Sequence, residues 1–291
     1  MVTPGLLIID KPVGPTSHDV VARVRRAAGL KRVGHAGTLD PLASGLMLVC
    51  LGPAARFVEY LVGLDKVYET TVRLGQATTT YDAEGDVTAE RPVDVTAGQI
   101  AAALAAFRGP IRQQPPVFSA VKQDGQPLYK RARRGEAVSA PLREVVIHAL
   151  DLLDFAPPLL RLRVACSSGT YIRSLAHDLG AALGCGGHVA ALRRTAVGRF
   201  ILADAVPLDA LTPENVAGHL LPTKAAVAHL PRLDVDESDG ARLVMGQRLP
   251  AAPGAAPGTM AAFGPDGQFL GVVEIDGDVI RPRKMATSAD S

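Results

Sequence analysis

Twelve residues, GHAGTLDPLASG from Gly34 to Gly45, gather a histidine, an aspartate, a serine and three glycines just before the apolar run LMLVCLG. Asp40 has the widest chemical reach among them. An ionised carboxylate that is held in place and partly shielded from water is a nucleophile. An Asp-Pro step is equally a plain turn initiator, because aspartate bonds its own backbone and proline fixes φ. The residue types alone leave both readings open. Glycines at this density let a ligand approach the backbone closely, and a loop delivered by a buried strand is held rigidly. His35, Asp40 and Ser44 also invite a Ser-His-Asp hydrolase reading, against which stands the absence of a GxSxG elbow.

Other chemistries find no motif. There is no GxxxxGK[ST], no GxGxxG in a strand-turn-helix context and no HExxH. The three cysteines, Cys50, Cys166 and Cys185, are far apart and form no CxxC pair, so neither a zinc site nor a disulfide framework is expected. No stretch approaches the roughly 20 apolar residues of a membrane helix. The opening MVTPGLLIIDKP lacks the basic start of a signal peptide, and the expected location is the cytoplasm.

The elements that must position the loop follow from periodicity. GLLIID (5–10) reads as a strand, and SHDVVARVRRAAG as a helix capped by Ser17 and stopped by Gly29, with its arginines on the exposed face. Residues 31–45 read as loop and 46–51 as a buried strand. In KVYETTVRLG, Tyr68, Thr70, Val72 and Leu74 share one face of a strand. Thr96 and Gln99 form a capping box ahead of an alanine-rich helix. REVVIHALDLLDF and LLRLRVAC read as two strands parted by Pro157-Pro158, TYIRSLAHDLGAALG as a helix, and HVAALRRTAVGRF as a strand and turn. This mixture implies an α+β fold with a mixed, mainly antiparallel sheet and flanking helices. Texture changes after about Pro231, where short strands surround a Gly-Pro-Asp-Gly turn. The expected domains are 1–230, a small β-rich unit over 231–285, and a loose tail over 286–291.

Charge is informative only locally. The net charge is +2. Between Lys122 and Arg143, however, six basic residues (Lys122, Lys130, Arg131, Arg133, Arg134, Arg143) face two acidic ones, on a proline-marked stretch that reads as an exposed arm over about 115–143. The chain has no tryptophan and 4% aromatic residues, poor material for stacking open single strands. A folded RNA read by shape and phosphates needs fewer rings.

The glycine-rich loop resembles the catalytic loop of the TruB-type tRNA pseudouridine synthases. So do DKPVGPTSHDVV (10–21), KVYETTVRLGQATTTYDAEG (66–85), PPVFSAVKQDGQPLYKRARRGE (115–136), SSGTYIRSLAHDLG (167–180) and ALRRTAVGRF (191–200), in the same order and spanning about residues 5–200. The GHxGTLDP form is closer to the stand-alone bacterial enzymes than to the guide-RNA-dependent pseudouridylases. The tail after 231 resembles, more weakly, a small PUA-like RNA-binding domain.

The resemblance implies isomerisation of the T-loop uridine at tRNA position 55. The base is flipped out, cut from C1′, turned and rejoined through C5, without metal or other cofactor. It matches Asp40 to the catalytic aspartate, Arg173 to the arginine that pairs with it, and Tyr68 to a tyrosine that stacks on the target base. Tyr171 and Leu192 match walls of the uracil pocket. His35 matches the histidine that fills the space of extruded loop bases. Lys11 matches a basic residue near the site, and Asp82 a polar residue of the same cleft. By residue type alone Tyr68 would be a core tyrosine and Arg173 a surface charge. Lys122, Lys130, Arg131, Arg133 and Arg134 are the expected clamp on the T-arm. The expected partner is the tRNA T-stem-loop, bound by a monomer with no membrane and no small-molecule cofactor. Two rival readings are a non-catalytic tRNA-binding chaperone and a guide-dependent pseudouridylase on another RNA.

Overall fold

The structure is a computed structural model and describes residues 4–118, 122–123, 126–127, 131, 134, 136, 138 and 140–286. The chain divides into two compact units. One takes in Met1–Asp40, Leu46–Gly63 and Arg199–Ser291, and the other Pro41–Gly45 and Leu64–Gly198. No helix among the described residues is long and apolar enough to cross a membrane.

In the second unit the alternating segment forms the strand Lys66–Leu74, and its even positions are buried as the period-2 pattern requires. It pairs antiparallel with Leu159–Cys166, which pairs with Arg143–Ala156, and that in turn with Gly109–Gln113. On its other side lies Gly187–Val197, also antiparallel. Gly187–Val197 then takes Ala43–Gly45 as a parallel neighbour, with Leu192 opposite Ala43 and Arg194 opposite Gly45. The sheet is thus mixed and mainly antiparallel, as the sequence pattern implies. The helix Ile172–Ala182 packs on Gly187–Val197. Their approach is close enough that a Cβ on Gly180 would lie 2.2 Å from the Gly187 nitrogen. The helix Ala97–Ala106 begins with the expected capping box, Thr96 and Gln99 each bonding the other's backbone.

In the first unit Gly5–Lys11 pairs parallel with Val206–Pro207. The helix Ser17–Ala28 ends at Gly29, whose φ of 64° is the left-handed conformation that favours glycine. Two expectations are corrected here. The helix cap is Thr16, in a capping box with Asp19, and not Ser17. Residues 31–45 are not all loop: Val33–Ala36 is a strand antiparallel to the end of Ala43–Leu51, and the latter begins three residues earlier than its apolar run. Backbone pairing, to which Ser44 and Gly45 contribute as well as any residue, sets that boundary. A five-stranded sheet, ordered Arg232–Asp234, Gly258–Phe263, Phe269–Asp276, Val279–Met285 and Leu249–Pro250, closes the chain around Leu243, Ala262, Val273 and Ile275. It packs on the segment 52–62 through Phe57 and Phe269, whose rings are 5.4 Å apart, and through a 2.7 Å Lys284–Glu59 ion pair.

Candidate active site

Three of the expected site residues, Lys11, His35 and Asp40, belong to the first unit, and five, Tyr68, Asp82, Tyr171, Arg173 and Leu192, to the second. Asp40 is the last residue of its segment and is peptide-bonded to Pro41, the first residue of the other unit.

The loop ahead of Asp40 is fixed by a residue whose role the sequence misassigns. The Ser17 hydroxyl donates to the Leu39 carbonyl at 2.8 Å and accepts from the Leu39 N–H at 2.9 Å. Both backbone groups of the residue before Asp40 are thereby satisfied by one buried side chain. A serine at a helix start signals a cap, and only the fold brings Leu39 to it. His35 lies within 3.4 Å of the Thr38 hydroxyl and meets the His18 ring edge-on at 6.0 Å. Lys11 is fully buried and donates to the Pro12 carbonyl at 2.9 Å.

In the second unit Arg173 sits on the first turn of Ile172–Ala182 and is 6% exposed, so the surface-charge reading of it fails. Its Nη1 donates to Asp82 Oδ2 at 3.1 Å and to the Thr80 carbonyl at 3.2 Å, and its Nη2 to the Phe118 carbonyl at 2.9 Å. A buried guanidinium is tolerated only with such partners. Asp82 is 2% exposed and accepts in addition from the Thr80 hydroxyl and, at 3.1 Å, from the Glu84 N–H. Its backbone is tied to the sheet on either side, since Val189 donates to the Tyr81 carbonyl and Ala83 donates to that of Val189. Between these ties Tyr81 takes a φ of 63°, rare for a side chain of its size. Its ring stacks on His177, one helical turn beyond Arg173, with 3.9 Å between centroids. Neither Tyr81 nor His177 carries a local sequence signal for this contact.

Tyr68, Thr70, Leu192 and Arg194 share one face of the sheet, because Tyr68 lies opposite Arg194 and Thr70 opposite Leu192. All four are buried. Arg194 and Lys66 are two cations on this buried face that sequence reasoning does not single out. Burial pushes the Lys66 ammonium down to about 8, with the Arg194 charge acting in the same direction. Arg193, on the next position, donates to the Ser44 hydroxyl at 3.2 Å.

Tyr171 is anchored through its backbone. Its N–H donates to Gln113 Oε1 at 3.0 Å, and its carbonyl accepts from Gln113 Nε2 at 3.2 Å. Tyr171 also packs against Ala140, as Val138 does, and Ser174 donates to the Gln114 carbonyl at 2.7 Å. The base of the arm is therefore laced to the start of the helix that carries Arg173. Within the arm, Lys130 and Arg133 lie outside the described residues, as does the side chain of Lys122. Arg131 and Arg134 both pair with Glu136, at 2.7 and 2.9 Å. One carboxylate thus offsets part of the positive charge counted from sequence, and the Arg131 hydrogen bond foremost holds Glu136 below its usual range.

An α+β chain built in this way has the architecture of a pseudouridine synthase. Two solved structures are similar to it over 98% of its length. One is the structure of an H/ACA RNP bound to a substrate RNA containing 2′-deoxyuridine, with a TM-score of 0.76, 26% identity and 86% of that chain covered. The other is the crystal structure of a Cbf5-Nop10-Gar1 complex, with a TM-score of 0.77, 28% identity and 86% covered. Residues 25–172 match the model of the TruB family pseudouridylate synthase N-terminal domain, 173–217 that of the tRNA pseudouridylate synthase B C-terminal domain, and 230–285 that of the tRNA pseudouridine synthase II C terminus. A protein of Ralstonia pickettii called tRNA pseudouridine synthase B is 48% identical, with 97% of this chain and 93% of that one covered. Its namesake in Pseudomonas paraeruginosa is 44% identical, with 98% and 96% covered. The chain belongs to the TruB family of pseudouridine synthases.

Proposed function

We propose that this protein converts the T-loop uridine at tRNA position 55 to pseudouridine, acting as a monomer in the cytoplasm without guide RNA. The single observation that carries the reading is the Arg173 guanidinium, buried and held by three acceptors on the first turn of its helix. A cation fixed this firmly orients a carboxylate. Asp40 is the catalytic carboxylate, and Asp82 holds the Arg173 guanidinium.

Uridine and pseudouridine are isomers. The C1′–N1 bond breaks, a C1′–C5 bond forms, and the proton lost from C5 is balanced by one gained at N1, so the reaction consumes no co-reactant. The base first leaves its stack, at a cost of a few kcal/mol that pocket contacts offset. Tyr68 stacks on the everted base and assists loss of the C5 proton, Tyr171 and Leu192 wall the pocket, His35 fills the space of the displaced loop bases, and Lys11 steadies the loop region. Lys122, Lys130, Arg131, Arg133 and Arg134 clamp the T-arm, and residues 231–285 form a PUA-like RNA-contacting domain.

The test is carbodiimide mapping of an unmodified tRNA transcript incubated with the protein alone. The expected product is a single pseudouridine, in the T-loop. Modification elsewhere, or only when a guide RNA is added, would overturn the assignment.

A further inference from the structure

A cavity of about 760 Å³ opens within the first unit, and none of the residues assigned to the isomerisation lines it. Its volume falls in the range of small-molecule sites. Two of its walls are phenylalanine rings, Phe200 and Phe263, each less than a tenth exposed. The exposed Arg232 guanidinium lies over the Phe263 ring, 4.0 Å from its centroid. Arg199 and Lys224 line the same cavity and are exposed. Neither of their side chains has a hydrogen-bond or ion-pair partner among the described residues. Arg232, by contrast, is partly offset by Asp234 at 2.7 Å. A single acid, Asp204, also lines the cavity.

Each wall selects a different part of one ligand. The two unengaged cations select an anion, and a phosphate is the group that an arginine fork and a lysine point charge bind best. Flat aromatic and guanidinium faces select a planar base. A carboxylate accepts from sugar hydroxyls or an exocyclic amine. We propose that this cavity is a binding site for a nucleoside monophosphate, with the base against the Phe263–Arg232 wall and the phosphate on Arg199 and Lys224. The same chemistry is offered by a free nucleotide and by an unstacked nucleotide of a bound RNA.

The test is calorimetric titration of the full chain with the four ribonucleoside 5′-monophosphates, their parent nucleosides and inorganic phosphate. The variants are Arg199→Glu/Lys224→Glu and Asp40→Asn, so that this site is read independently of the isomerisation. At least one monophosphate is expected to bind saturably at submillimolar concentration, about tenfold tighter than its nucleoside. The double variant should lose that binding while melting within a few degrees of the wild type, since both positions are exposed. Asp40→Asn should retain it. No saturable binding, equal binding of the bare nucleoside, or binding that survives in the double variant would overturn the proposal. Displacement of the nucleotide by a tRNA transcript supports an RNA nucleotide as the natural occupant, and saturable binding that tRNA leaves intact supports a free one.

Discussion

Two buried ionic groups set the residue-scale behaviour. Asp82 and Arg173 form an ion pair with 3% and 7% of their side chains exposed. Removing one partner leaves the other charged and buried, so Asp82→Ala is expected to lower unfolding free energy by about 3–5 kcal/mol. It should also reduce kcat more than it raises KM if, as proposed, Arg173 serves the catalytic carboxylate rather than RNA binding. Denaturant titration and single-turnover kinetics check the two effects, and an unchanged kcat would contradict the role given to Arg173. Lys66 gives a pH signature. Its folded value of about 8 lies below the ordinary 10.5, so between those values the unfolded chain binds more protons and stability from this group rises with pH. Cys50 and Cys166 are pushed up from 9.0 to about 12 and 11 by burial, and act in the opposite sense above pH 9. From pH 8 to 9, therefore, the stability of the wild type relative to Lys66→Met should improve. A constant difference across that window, measured by urea unfolding, would remove Lys66 from the account.

At the scale of elements, close backbone approach positions the site. A Cβ on Gly45 would lie 2.2 Å from the Arg194 carbonyl oxygen, and the φ of 103° there is itself unfavourable for a side chain. Gly180 meets Gly186 and Gly187 just as closely, which seats the helix bearing Arg173 on its strand. Gly180→Ala is expected to destabilise by about 1–3 kcal/mol through overpacking, and hydrogen exchange in 172–182 should quicken with it. Unaltered exchange would mean that the helix is held elsewhere. Strands with period-2 burial, such as Lys66–Leu74, and helices with a capping box, such as Ala97–Ala106, are legible in sequence because their causes are local. The strand start at Ala43 is not, since parallel pairing with Leu192–Arg194 creates it. Nor are the Ser17–Leu39, Gln113–Tyr171 and Tyr81–His177 pairings, which join residues far apart in the chain with no spacing to betray them. Resemblance of motifs names Asp40 and Arg173 but is silent on these supports.

At the scale of the whole molecule, binding and chemistry should separate. Arg131 and Arg134 share Glu136, so part of the arm's charge is already offset within the arm. Replacing Arg131, Arg133 and Arg134 with glutamine is expected to weaken tRNA binding and flatten its salt dependence, by about one unit of log–log slope for each phosphate left without its cation. The single-turnover rate at saturation should barely change, and an unchanged salt slope would count against the clamp. The most direct measurement is tritium release from tRNA labelled at uridine C5, made on the wild type and on Asp40→Asn with tRNA affinity measured in parallel. No release by Asp40→Asn is expected, while its tRNA affinity stays within about threefold of the wild type. Release by Asp40→Asn at a near-wild-type rate would contradict the catalytic role of Asp40.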